Sequence, residues 1–251
     1  MGALGHFFEE AGLATTQVSL VRLHSEKARP PRALWVPFEL GRPVGPPNDA
    51  PFQRRVLKAA LELLVTADRP GAIADFPADA PDQAGEPGWT PSFPLPPAGF
   101  PADAAEADSR IEAELAALEA AYEAAQARTG YTTARLMGLG PAALARFVAG
   151  FLGPEWPDSP RPELSAPVAL RFACDDLRAI YLEAAASGPG RPGARQLNDW
   201  FWHQTSAARV LFQLRARLKD SADRRAKAVG ANLLLPGHRV APLAAEKARA
   251  G

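Results

Sequence analysis

Twenty-six prolines interrupt this chain of 251 residues, and they are gathered rather than spread. Proline fixes φ and removes a backbone donor, so it is kept out of helix interiors and central strands. Two stretches are therefore poor in regular structure: residues 68–102, and the shorter run GPEWPDSPRPELSAP at 153–167. What remains is a front block, an Ala/Glu-rich middle and a last third with helical period.

In the front block, Leu4, Phe7, Phe8 and Ala11 recur at helical spacing over 3–11, and Gly12 suits the position past a helix end. TTQVSLVRL at 15–23 is rich in β-branched residues and predicts a strand, followed by a polar, basic connection. ALWVPF at 33–38 predicts a second strand, limited by Pro37. After a Gly/Pro loop, Asn48 or Asp49 caps a helix with Pro51 in its first turn that runs to about residue 67. Phe52, Val56, Leu57, Ala60, Leu61 and Leu64 form its apolar stripe, and Arg54, Arg55, Lys58 and Glu62 its wet face.

Residues 68–102 hold Phe76, Trp89, Phe93, Leu95 and Phe100, unlike an aromatic-poor disordered segment. They read as an extended strap whose aromatics lie on folded parts. An Ala/Glu helix is expected over 103–129, with Ile111, Leu115, Leu118 and Tyr122 on one face. A brief strand at 131–137 and a helix from Pro141 to Leu152 follow, then helices at about 166–187, 195–219 and 221–234. The expected class is α+β, mainly helical: a small N-terminal α/β piece (1–67), the Pro-rich strap (68–102), a helical region (103–238) and a frayed tail (239–251).

Charge and cysteine narrow the function. Lys+Arg and Asp+Glu are 28 each, so the chain lacks the basic surplus of a non-specific nucleic-acid or anionic-membrane binder. One cysteine excludes an internal disulfide and a Cys-rich zinc site. The start MGALGHFFEEAGLATT lacks the basic region and apolar core of a signal peptide, and no run reaches a membrane span, so a cytoplasmic location is expected.

The order Glu9-Glu10-Ala11-Gly12-Leu13-Ala14-Thr15, a strand, Arg29–Arg32, then Trp35-Val36-Pro37-Phe38-Glu39-Leu40-Gly41-Arg42-Pro43 and a helix resembles a family pattern. It is similar to the later part of the selenoprotein B subunits of glycine, sarcosine, betaine and D-proline reductases. These carry an E-x-A-G-I-P-T turn, a strand, an Arg and a P-H-P-L-G-x-P loop before a helix. The likeness covers residues 5–66 and keeps Gly12, Thr15, Arg32, Pro37, Leu40, Gly41 and Pro43. It departs at Phe38 and Glu39, which stand for the loop His and Pro, and no Cys precedes Leu13. The family's selenocysteine or cysteine motif lies upstream of the matched segment. The resemblance implies an oxidoreductase acting on X-H and Y-H to form an X-Y bond with a disulfide as acceptor. Its substrate would be a small amino-acid-like carboxylate, its carboxylate ligand Arg32, and its redox partner another thiol or disulfide protein, because thiol–disulfide exchange needs two sulfurs.

The residues themselves offer three site candidates. Cys174 shares a helix face with Leu170, Leu177 and Tyr181 and reads as a small core hydrophobe, with a nucleophilic role as the sharper alternative. Asp199 and His203 stand at i,i+4, which suits a helix-surface pair, an acid/base pair or a pair of metal ligands, with Asp176 and Glu183 as carboxylates from the preceding helix; no particular metal or cofactor is assigned. Arg22, Lys27, Arg29, Arg32 and Arg42 cluster around the front strands as a solvated basic loop or a carboxylate site, with Arg22, Arg32 and Arg42 the ligands of choice. Three functions follow: a reductase relative, a non-catalytic binding or accessory module that keeps only the fold element, and a helical enzyme built on Asp199 and His203.

Overall fold

The computed structural model describes residues 2–236, so the tail expected at 239–251 lies outside the described residues. The chain is mainly helical with one small parallel sheet, the α+β class expected from the sequence. It forms two compact units, one running up to Pro87 and including Gly193–Gln196, the other holding Gly88–Pro192 and the described residues from Leu197 on. No helix among the described residues is long and apolar enough to cross a membrane.

The first unit runs α1 (Gly2–Glu10), β1 (Gln17–Ser19), α2 (Arg22–Ala28), β2 (Arg32–Trp35), α3 (Ala50–Thr66) and β3 (Ala72–Asp75). The strands are parallel in the order β1-β2-β3. Side chains alternate across a strand, so Val18, Leu34 and Ala74, which are in register, share one face. That face packs on Phe52, Val56, Ala60 and Leu63 of α3. Phe38, Phe52 and Phe76 close this core as three mutually tilted rings, with centroids 5.5–5.8 Å apart. Asp49 is the cap of α3, its side chain accepting from the Phe52 N–H at 3.1 Å.

Three expectations change here. The strand at 15–23 is only three residues long, because the basic connection coils into α2, which stops at Arg29 in the left-handed region (φ 44°) just before Pro30. The first half of the proline-rich stretch is not structureless: AIAD, free of proline, pairs with β2 as β3. An edge strand takes its hydrogen bonds from its neighbour, and four residues carry too little pattern to announce it. Of the stripe assigned to α3, Leu57 and Leu61 are exposed.

The second unit runs α4 (Ala104–Thr129), α5 (Pro141–Gly150), α6 (Ala166–Ala185), α7 (Ala194–Gln204) from Leu197 on, α8 (Ser206–Leu218) and α9 (Arg224–Asn232). Its core is led by Ile111, Leu118, Leu144, Tyr181, Phe201 and Leu211. Trp89, Phe93 and Leu95 of the strap pack against it, whereas Phe100 is exposed beneath the Arg209 guanidinium. The helix expected at 195–219 breaks at Thr205, whose hydroxyl accepts from the Ala208 N–H at 3.0 Å and starts a new helix. α9 approaches α8 closely at Gly230, where a Cβ would lie 2.6 Å from the Lys219 nitrogen. No strand forms at 131–137; α6 carboxylates hold that segment instead, as described next.

Candidate functional site at the carboxyl end of the sheet

Parallel sheets bind ligands beyond the carboxyl ends of their strands. Here that end carries a row across all three strands. Ser19, Trp35 and Asp75 are in register and lie on the face away from Val18, Leu34 and Ala74. Residues of α2 meet this row. The Ser25 hydroxyl donates to the Ser19 hydroxyl at 2.6 Å. Arg22 stacks over Trp35, its guanidinium carbon 5.5 Å from the ring centroid. Its Nη1 donates to Asp75, and its Nε donates to Glu26 at 2.9 Å. Asp75, then Glu26, holds the guanidinium still more firmly protonated than usual. The cluster therefore offers one cation, two carboxylates and an aromatic face, all partly open to solvent.

The other family-pattern residues sit elsewhere in this unit. Glu9 Oε1 accepts from the Thr15 N–H at 2.6 Å, the Thr15 hydroxyl at 3.1 Å and Arg32 Nη1 at 2.6 Å. Arg32 also donates to the Thr15 carbonyl at 3.3 Å. The Thr15 N–H, with help from Arg32, keeps the Glu9 carboxyl below its ordinary 4.5. Arg32, the expected substrate ligand, is thus engaged by the chain's own carboxylate at the amino end of the strands. Gly12 turns the chain into β1 at φ 83°, and Gly41, between Pro37 and Pro43 in the loop after β2, stands at φ 93°. Arg42 in that loop pairs with Asp82.

In the second unit the carboxylates expected to join Asp199 and His203 are engaged elsewhere. His203 is exposed, and its Nδ1 lies 2.8 Å from the backbone carbonyl of Asp199 rather than from a carboxylate. Asp176 accepts from the Leu136 and Met137 N–H groups at 2.9 and 2.8 Å, and Glu183 from the Thr133 N–H and hydroxyl. Both carboxylates are occupied in fastening residues 133–137 to α6. Among the described residues no group of three or more His, Cys, Asp or Glu could hold a metal ion. Cys174 is 4% exposed, and burial, then Asp175, pushes its thiol well above the ordinary value.

Sequence reasoning missed Glu114, a fully buried carboxylate. It accepts from the N–H groups of Ser206 and Ala207 and from the Tyr181 hydroxyl at 2.7 Å, so it sits at the start of α8. Anionic groups are favoured there. Burial nevertheless raises its pKa above 4.5. The signal was present: Glu114 falls between Ile111 and Leu118 at spacings of three and four, on the apolar face itself. Asp75 was missed because only the pairing of β3 brings it to Arg22; Glu26 stands at i,i+4 from Arg22 on α2, and Ser19 and Trp35 come from the neighbouring strands, so no single stretch of sequence shows the four together. No family model, curated protein or solved structure matches this chain.

Proposed function

We propose that this chain is a selenocysteine-lacking relative of the selenoprotein B family of glycine, sarcosine, betaine and D-proline reductases, and that its sheet binds a small amino-acid-like zwitterion. The family likeness is supported by the clamp at the amino end. Glu9, Thr15 and Arg32, which carry the resemblance, are bonded to one another, so the pattern has a folding reason to recur as a unit. The ligand class is carried by the Arg22 cluster. A guanidinium recognises a carboxylate, while Asp75 and Glu26 recognise an ammonium group, each exchanging its bond to Arg22 for one to the ligand. In this reading Arg22 takes the role the resemblance gave to Arg32.

The burial of Cys174 favours a second reading, a non-catalytic binding or accessory module that keeps the fold element but not the redox chemistry. With one cysteine in the chain, the disulfide chemistry of the first reading needs a thiol or disulfide partner.

Calorimetric titration with glycine, sarcosine and betaine tests the site. Arg22→Ala should weaken binding about tenfold or more, the effect of a charge-assisted hydrogen bond. Arg32→Ala should leave affinity nearly unchanged at temperatures where it is folded. Absence of binding to the parent chain removes the zwitterion site. If binding is present but no reductase activity appears with a thioredoxin-type donor, the accessory reading stands.

A further inference from the structure

α3 has more apolar surface than its sheet uses. Phe52, Val56, Ala60 and Leu63 are buried against β2 and its neighbours, but a second row runs beside them. Leu57, Leu61 and Val65 are 48%, 59% and 85% exposed. They stand at i, i+4 and i+8, the spacing of a ridge that packs against another helix. Scattered exposed leucines are ordinary; three in one row on a single helix mark an interaction face. Their own unit leaves about half or more of each of them uncovered.

We propose that the occupant of this face is α3 of a second copy of this chain, packed antiparallel about a two-fold axis near Leu61. The charges select that partner. The first half of the helix carries Arg54, Arg55 and Lys58, all exposed, and the second half carries Glu62. Its first turn has no acid and its last turn no base. A parallel copy would set like charge against like. An antiparallel copy sets Lys58 of each copy near Glu62 of the other, twice over, as an isologous contact requires, and carries Arg54 and Arg55 of the two copies apart. A two-fold through Leu61 also places Leu57 of one copy against Val65 of the other and brings Lys58 within a turn of Glu62 of the second copy. Within one chain Lys58 and Glu62 stand 3.6 Å apart and are solvent-exposed, a pair weak enough to exchange.

One helix pair is a small interface, so sedimentation equilibrium of the full chain should extend to about 0.5 mM, within the range of weak association. The average mass is expected to rise from 26.7 kDa toward twice that value. Leu61→Arg, at an exposed position, should keep the circular dichroism of the parent and stay monomeric. Lys58→Glu and Glu62→Lys should each weaken self-association about tenfold or more. Mixed together, those two variants should form a heterodimer about as tight as the parent dimer, since opposite charges then face each other. A parent chain that is monomeric throughout overturns the proposal, and that is also the result if the face serves a different protein. A dimer indifferent to Leu61→Arg overturns it, as does a mixture no tighter than either charge variant alone.

Discussion

Cys174 has the position of a core residue and none of the surroundings of a reactive thiol. It lies on α6 among Leu170, Leu177 and the rest of the apolar cluster, and its nearest acidic neighbour, Asp175, opposes the thiolate while only Arg178 favours it. The thiolate is the nucleophile, so native Cys174 should react with iodoacetamide far more slowly than free cysteine at neutral pH, and rise to the free rate only in denaturant. A native rate equal to free cysteine would show an accessible thiolate-forming sulfur and would return the chain to direct thiol chemistry. At the same scale Arg32 and Arg22 differ in their surroundings. Both are arginines beside a strand, but one faces a single carboxylate within a closed hydrogen-bonded turn, and the other a half-open cluster.

Among the elements, α8 depends on a residue from elsewhere in the chain. The first turn of any helix leaves four N–H groups without helical partners. In α8, Thr205 meets that of Ala208, and Glu114 of α4 meets those of Ser206 and Ala207. Glu114→Ala would strand two buried donors and the Tyr181 hydroxyl. At about 1–3 kcal/mol for each unsatisfied group, the loss should be about 3 kcal/mol or more, measured by urea unfolding. A change under about 1 kcal/mol would mean that water replaces the carboxylate, since a surface-like position shows effects of that size. The apolar row on α3 shows the complementary case, an element with more surface than its own unit covers. The segment 131–137 shows a third, in which α6 carboxylates supply what a strand partner would have supplied.

For the whole molecule, Glu9 and Glu114 give pH dependences of opposite sign. The Glu9 carboxyl is lowered in the folded state, so its contribution is present above its ordinary value near 4.5 and is lost as pH falls through the folded value. The Glu114 carboxyl is raised, so its contribution is greatest below 4.5 and is lost as pH rises through the folded value. Scanning calorimetry of the parent against Glu9→Gln and Glu114→Gln separates the two. The deficit of Glu9→Gln should shrink as pH is lowered from 7 to 4. Over the same interval the parent should gain on Glu114→Gln. Differences that do not change with pH would mean that neither carboxyl titrates differently on folding.

The class and most helices were legible because helical period, proline and capping residues act locally: Asp49, Pro51 and the run to Thr66 define α3 without help. So did the isolation of Cys174, since its helix face and acidic neighbours are sequence properties. The sequence also placed Phe52, Val56 and Ala60 on the buried side of α3. It could not divide the broader stripe: Leu57 and Leu61 fall outside the buried side and Leu63, not assigned to the stripe, falls inside it, because which residues meet β2 depends on where the helix lands. β3, the row Ser19–Trp35–Asp75 and the capture of Arg32 by Glu9 were decided only by tertiary structure. Each joins residues 16 to 56 positions apart through a strand pairing or a turn. Local pattern carries the choice between helix and strand; which charges meet depends on the closure of the sheet, and no short window of sequence contains that.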